Sequence, residues 1–388
     1  MIPHKNIIYV NFAPYENAGN ILNYLQEHFS TVISFTFNFH RISSNQKQSS
    51  LCVYRKKKIV YECPLFQTPT NASVAFILLP IRSLVIFAQL LFHLLRLKEK
   101  FGPYSIYFTV NAFTAWSGNI LRSLGLVQQT IFWVWDYYPP IHDNAVVRFM
   151  RFLYWQFDIP ATKQADRIVF LNKRLVDLRK TLGILPKEVS YPVVGIGTNP
   201  ITSIRPKTMK PIALAFIGVV KKSQGLDLVY KSADVLAKRY PGITLHIIGG
   251  GPDIPYYRNL ASSSPLKTVF HGYIQSNKQV SAILKRCHIG IAPYVPDKAN
   301  VTYYSDPSKI KRYIELGLPV ITTNVFDFSK EISLNNAGMV IPYNSKVFVQ
   351  AVRAIIKKYP VYEESALILG KRYRYTIAYA SIFPKRFY

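Results

Sequence analysis

Residues 303–323 read YYSDPSKIKRYIELGLPVITT, and hydroxyl, carboxylate and ammonium groups crowd the start of the stretch. Ser305 or Asp306 can cap a helix, and Pro307 suits its first turn. Residues 309–316 make about two helical turns, and Gly317 supplies a left-handed stop. Residues 318–322 then enter a buried parallel strand. Backbone N–H groups at such a helix start favour an anion such as a phosphate, in a loop that also places Ser305, Asp306 and Lys309 there. An ordinary αβ unit with a good cap has the same pattern. Asp136 offers a second place for chemistry. Residues 130–135, TIFWVW, read as a strand, and Asp136 follows at its carboxyl end, where ligands of open α/β sheets collect. The same residue could merely cap the segment after it.

The elements that would carry these groups alternate strand and helix along the chain. Strands are expected at 6–12, 31–39, 104–111, 130–135, 166–172 and 191–199, then at 212–218, 243–248, 268–273, 288–293, 318–322 and 337–344. Helices fall between them, a pattern of parallel sheets covered on both faces. The basic, Pro-flanked tract 200–211 reads as a linker between two domains, 1–199 and 212–360. The polar tract 40–58 ends in Arg55-Lys56-Lys57-Lys58 and reads as a solvated turn. Residues 74–95 are long and apolar enough for a membrane span, but Pro80, Arg82, Gln89 and His93 interrupt them. A helix over 80–100 would gather Arg82, Gln89, His93, Arg96 and Lys100 into one stripe. That suits a core helix exposed along one edge or a helix lying in a membrane interface.

The 388 residues include 48 basic and 20 acidic ones, a formal charge of +28, which favours polyanions, anionic bilayers or phosphorylated substrates. RNA-recognition, zinc-finger and helix-turn-helix signatures do not occur, so nucleic acid is not an expected partner. Cys52, Cys63 and Cys287 have no metal-ligand spacing and read as free thiols of a reducing cytosol. His288 reads as a structural residue at a strand entrance.

The 303–323 stretch resembles the nucleotide-sugar-binding segment of GT-B glycosyltransferases of the group 1, or family 4, type. There a Ser/Asp-Pro-x-Lys loop leads a helix ending in Gly-Leu-Pro-Val-Ile. Here Ser305, Asp306, Pro307, Lys309, Tyr313, Gly317, Pro319 and Val320 match in order. Many members also carry a Glu-x7-Glu pair that holds the donor sugar; Tyr304 and Arg312 stand at those positions. A subgroup with a Lys-x-Lys-x-Tyr pattern is closer, and Lys309, Lys311 and Tyr313 fit it. Residues 212–227 resemble the opening of the nucleotide-binding domain, with Gly218, Gly225, Leu226 and Asp227 matching. The phosphate-binding Arg and Lys of many members fall at Val219 and Gln224, and Lys221 and Lys222 carry charge in the same loop. Gly249 and Gly251 are similar to a strand-end Gly-x-Gly-Pro turn near the nucleoside, and Tyr294 follows a matching strand. Asn17 and Gly19 lie where such enzymes place a loop near donor phosphate or acceptor.

The resemblance implies a GT-B fold, with two Rossmann-like doubly wound domains facing a cleft and residues 365–388 packing back on the first. It implies a hexosyltransferase-type enzyme that moves a sugar from a nucleotide-sugar to a glycan or lipid-linked acceptor, with retention of configuration. No metal or other cofactor is required. Asp306 or Glu315 would meet sugar hydroxyls, and Asp136 would position or deprotonate the acceptor. Together with the charge and the 80–100 helix, this suggests a cytoplasmic protein at the inner face of the plasma membrane. Two alternatives remain open: a GT-B scaffold without catalysis, and a nucleotide-sugar epimerase of the same fold.

Overall fold

The strand–helix alternation resolves into two sheets, each built from its own part of the chain. The computed structural model describes residues 5–13, 15–38, 48–70, 74, 78–203, 208–297 and 301–384. Parts of five expected features therefore lie outside the described residues: 39 of the second strand, 40–47 of the polar tract, 75–77 of the apolar run, 204–207 of the linker and 385–388 of the C-terminal segment. One compact unit comprises Met1–Gly195 with Tyr375–Tyr388, the other Ile196–Arg374.

In the first unit the strands are β1 (Asn6–Ala13), β2 (Thr31–Asn38), β3 (Ser50–Arg55), β4 (Lys58–Pro64), β5 (Tyr104–Thr109), β6 (Val127–Val134) and β7 (Arg167–Phe170). Their order is β4-β3-β2-β1-β5-β6-β7. All neighbouring pairs are parallel except β2–β3 and β3–β4. The β3–β4 hairpin is hidden in the sequence by the charges around it. Its turn is Lys56-Lys57, both at positive φ (48° and 64°), the mirror-image turn that suits strand twist. The basic tract is thus a solvated turn as expected, but Leu51, Cys52 and Val53 just before it are buried strand residues.

Helix Leu79–Phe101 packs Ile86, Leu90, Leu94 and Leu97 onto sheet residues Ile8, Val10, Ile33 and Phe35. Its expected polar stripe is not uniformly exposed. Arg82 is buried, and Pro69 O accepts from its Nη2 at 2.7 Å. Gln89 accepts from Phe66 N at 2.7 Å. Opposite the buried face, Ile81, Leu84, Phe92 and Leu95 form a second apolar stripe, each more than half exposed. The helix is long and apolar enough to cross a membrane by length and composition, while one of its faces is docked on its own sheet. Phe87 meets Trp116 of helix Ala112–Ser123, and Trp116 meets Phe157 of helix Ala145–Gln164. These three helices lie side by side as one layer.

The second unit holds β8 (Ala213–Ile217), β9 (Thr244–Ile248), β10 (Lys267–Gly272), β11 (Ile289–Ala292), β12 (Val320–Thr323) and β13 (Gly338–Ile341). All are parallel, in the order β10-β9-β8-β11-β12-β13. Strand side chains alternate between faces. Leu214 and Phe216 join the core under helix Ser345–Lys357, whereas Ala213 and Ala215 join the one under helix Ser308–Ile314. Small residues on that second side let the helix approach closely.

Residues 191–199, expected as a strand, make only single bridges at Val193 and Thr198. Pro192, Gly195 and Gly197 break up any longer ladder. Thr198 Oγ1 donates to Gly370 O at 2.6 Å, and Asn199 N to Glu315 Oε2 at 2.9 Å. The chain is therefore anchored to the second unit before the expected linker begins. Helix Tyr359–Arg372 also packs there, through Ala366 and Leu369. Only the segment after it belongs to the first unit, where Tyr379 OH donates to Gly19 O at 2.8 Å.

Candidate active site

The second sheet is wound outward from β8 in two directions, so its strand order reverses between β8 and β11. Open α/β sheets offer a crevice at such a point, beyond the carboxyl ends of the strands. A buried phenol marks the crevice here. Tyr313 OH accepts from Ile217 N at 2.9 Å and donates to Ile291 O at 3.2 Å, bridging the ends of β8 and β11. Its ring lies against Gly290, where a Cβ would come within 2.4 Å of it.

Lys309 lies four residues before Tyr313, on the same helical face. It is 8% exposed, and its Nζ sits 4.1 Å from the Phe216 ring centre and 4.6 Å from that of Tyr294. Its polar partner is the neutral amide of Gln224, whose Oε1 accepts at 2.7 Å. Among the described residues no carboxylate pairs with it. Burial alone brings its ammonium down to about 7. Gly218 lies against this side chain at φ 130°, a backbone conformation that residues with a Cβ rarely adopt. Gln224 and Phe216 escaped the sequence reading. The signal was that Gln224 occupies a position where the resembled family often has a cation.

The helix itself differs from expectation. It spans Ser308–Ile314 with Pro307 in the N-cap position, and no side chain caps it. Asp306 turns inward instead: Ile196 N donates to its Oδ2 at 2.6 Å, and Lys311 Nζ lies 3.8 Å away. Burial raises its carboxyl, while Lys311 and the Ile196 N–H oppose that rise. Ser305 is half-buried in the bend before it. Glu315 Oε2 accepts from Asn199 N, and its Oε1 pairs with Arg312 Nη1. Arg312 Nη2 donates to Asn277 O at 2.9 Å and Ser281 Oγ at 2.6 Å. Both Glu315 and Arg312 thus serve contacts within the protein.

Gly249 and Gly251 also have an internal reason. A Cβ on Gly249 would come within 2.0 Å of Gly218 O, and one on Gly251 within 2.2 Å of Val220 O. Backbone packs on backbone there, with Val220 N donating to Gly250 O at 2.8 Å. Lys221 is exposed. Lys222 Nζ lies over the Tyr256 ring at 4.4 Å, and its N–H donates to Asp253 Oδ2. His288 bridges Ala213 N and Thr208 O, a structural role.

In the first unit, Asp136 follows β6 with partial exposure. Burial pushes its carboxyl up to about 6, with Asp158 adding to the rise and Arg179 opposing it. Asp158 and Arg179 form a fully buried ion pair at 2.8 Å. Asn17 Oδ1 accepts from Leu22 N at 3.0 Å, so Asn17 ties down the start of helix Ile21–His28, and Gly19 (φ 59°) makes the turn into it.

The sequence model of the family described as glycosyl transferases group 1 matches residues 211–358, the part that carries Lys309 and Tyr313. A search of curated protein sequences finds no match. Solved structures with similar folds include sucrose-phosphate synthase from Thermosynechococcus elongatus, 13% identical, with a TM-score of 0.66 over 98% of this chain and 96% of that one. They also include WaaG, a glycosyltransferase involved in lipopolysaccharide biosynthesis, 15% identical, with a TM-score of 0.60 over 95% and 94%. HepE from Anabaena, solved in complex with UDP, is 12% identical, with a TM-score of 0.56 over 97% and 98%. These likenesses identify the fold as GT-B.

Proposed function

We propose that the chain, whose fold is GT-B, is a glycosyltransferase of the group 1 type that moves a hexose from a nucleoside diphosphate sugar to an amphiphilic, lipid-linked acceptor at an anionic membrane face. The observation that carries the donor half is Lys309. A cation buried between two aromatic rings, with a neutral amide as its polar partner, is costly unless a ligand supplies the opposite charge. The leaving diphosphate is such a ligand, and Lys309 would offset the charge that develops on it as the glycosidic bond breaks. In this reading no resident metal takes part. Asp136, with its raised carboxyl, is the acceptor-side group suited to take a proton near neutral pH. Retention of configuration belongs to the proposal too; the anomeric signal of the product in a proton spectrum would decide it.

The acceptor half rests on the helix layer of the first unit. Besides the outer stripe of helix Leu79–Phe101, helix Ala145–Gln164 exposes Val146, Phe149 and Phe152, and Ile141 just before it is 84% exposed. Arg148 and Arg151 accompany that second patch. Apolar outer faces with flanking cations suit the interface of an anionic bilayer, the cytoplasmic face in this proposal. Thermal stabilisation by a panel of nucleoside diphosphates and their sugars tests the donor half. A shift that disappears in Lys309→Met supports it, and no shift with any of them defeats it.

A second reading has its own observation. Arg312, at a position where many members hold the donor sugar with Glu, is engaged with Glu315, Asn277 and Ser281. Nucleotide binding with neither transfer nor donor hydrolysis would favour a binding protein that kept the fold.

A further inference from the structure

At the amino ends of β1 and β2, far along the sheet from Asp136, a cavity of about 610 Å³ opens beside the β3–β4 turn. Asn6, Thr31, Arg55, Lys56, Lys58 and Val60 line it together with Ser30, and none of these is acidic. Arg55 is held rather than loose. Its Nε donates to Thr31 Oγ1 at 3.3 Å, its Nη2 to Lys100 O at 3.4 Å, and its guanidinium lies 5.0 Å over the Phe101 ring. Lys56 enters the turn at φ 48°, which the hairpin imposes. The third lysine of the turn, Lys57, is taken by Glu27 at 3.0 Å. The wall therefore presents a positioned arginine and two lysines toward one concave space.

What adjoins the cavity indicates its occupant. Phe101 and Lys100, which hold Arg55, end the helix whose outer stripe of Ile81, Leu84, Phe92 and Leu95 is exposed. Arg96, Lys98 and Lys100 flank the last turns of the helix beyond that stripe, with one acidic residue, Glu99, among them, and all four are exposed. An apolar stripe that runs into a cationic pocket matches one chemistry, an acyl chain joined to a phosphate. Guanidinium groups bind phosphate through two parallel N–H bonds, and lysines add point charge.

We infer that this cavity seats the phosphate headgroup of an anionic membrane lipid while the stripe of helix Leu79–Phe101 enters the acyl layer. The inference rests on the membrane reading above and adds to it a defined headgroup site away from the strand-end residue Asp136. The lipid is held as an anchor and undergoes no reaction.

The test is co-sedimentation of the full chain with phosphatidylcholine vesicles, with and without phosphatidylglycerol, at low and moderate salt. Wild type is expected to prefer the anionic vesicles and to lose that preference as salt rises. Lys56→Asn with Lys58→Gln should weaken partition onto anionic vesicles roughly thirtyfold and leave binding to neutral vesicles unchanged. Asn tolerates the positive φ at 56, so this variant keeps the turn. Arg55→Gln, which leaves both turn residues in place, should act in the same direction. Nucleoside diphosphate binding should be the same in all of these variants. Anionic partition that survives both variants but falls in Phe92→Ser would overturn the headgroup site and leave the membrane reading standing. No partition of wild type onto either vesicle would overturn both. Inorganic phosphate binding in solution that is lost in Lys56→Asn with Lys58→Gln, together with equal partition of wild type onto anionic and neutral vesicles, would assign the cavity to free phosphate and defeat the lipid assignment.

Discussion

Lys309 and Lys311 stand two residues apart on one short helix, and each places its ammonium between two aromatic rings. Lys309 has Phe216 and Tyr294, whereas Lys311 has Phe328 at 3.9 Å and Tyr373 at 3.8 Å. Burial lowers the affinity of both for a proton. The difference is the counter-charge. Asp306 lies near Lys311 and, with Glu331, opposes the effect of burial, while Lys309 has the amide of Gln224. Lys311 has a carboxylate 3.8 Å away that balances its charge, although among the described residues no group accepts a hydrogen bond from its Nζ. A buried cation with only an amide, at the reversal point of a parallel sheet, is suited to an anion from outside.

Exchanging each lysine for a residue of similar length separates the two roles. Lys309→Met should lose about 3 kcal/mol of nucleoside diphosphate binding, more than a hundredfold in Kd by titration calorimetry. Its melting temperature should hold or rise, because an unpaired buried charge is gone. A protein that melts lower and binds normally would reverse the assignment. Lys311→Met should do the opposite, losing about 2 kcal/mol of stability with Kd unchanged, as Asp306 is left buried without its cation. That figure is set low because the N···O separation is 3.8 Å.

Proton affinity sharpens the contrast further. Lys309 titrates at about 7 in the folded protein against 10.5 for a free lysine. Between those values the unfolded chain binds the extra proton, so this group makes stability rise with pH across the window. The charged form is the one that meets an anion, so diphosphate affinity should fall about tenfold per pH unit above 7. Lys309→Arg stays charged and should flatten that slope. The smallest effect belongs to Gln224→Ala. Loss of its single bond to Lys309 should weaken binding by about 1 kcal/mol, near fivefold. A larger loss would mean that the amide also touches the ligand.

Much of this region was legible beforehand. Gly317, at φ 72°, does stop the helix, and Val320–Thr323 is the buried strand that the run of apolar residues implied. The alternation of strands and helices along 212–341 gave the parallel sheet. Legibility failed where a partner comes from far along the chain. Asp306 reads as a cap, yet its carboxylate is claimed by the Ile196 N–H, which no local pattern announces. Glu315 reads as a candidate for sugar hydroxyls, yet Asn199 and Arg312 take both its oxygens. Arg82 reads as the exposed end of a polar stripe, yet it is buried and Pro69 O accepts from its Nη2. Local rules describe the backbone period well. They are silent on which distant peptide group will satisfy a buried side chain.

The Tyr313 phenol has a consequence for how this protein can change. It spaces the ends of β8 and β11 while its ring rests on Gly290, so the shape of the crevice is set during folding rather than by whatever binds. The residue that spaces the two strand ends is itself fully buried. A mutation that relaxes the seat also loosens the sheet, and drift in ligand preference is channelled to the rim, where Gln224, Lys221 and Lys222 can vary without disturbing the strands.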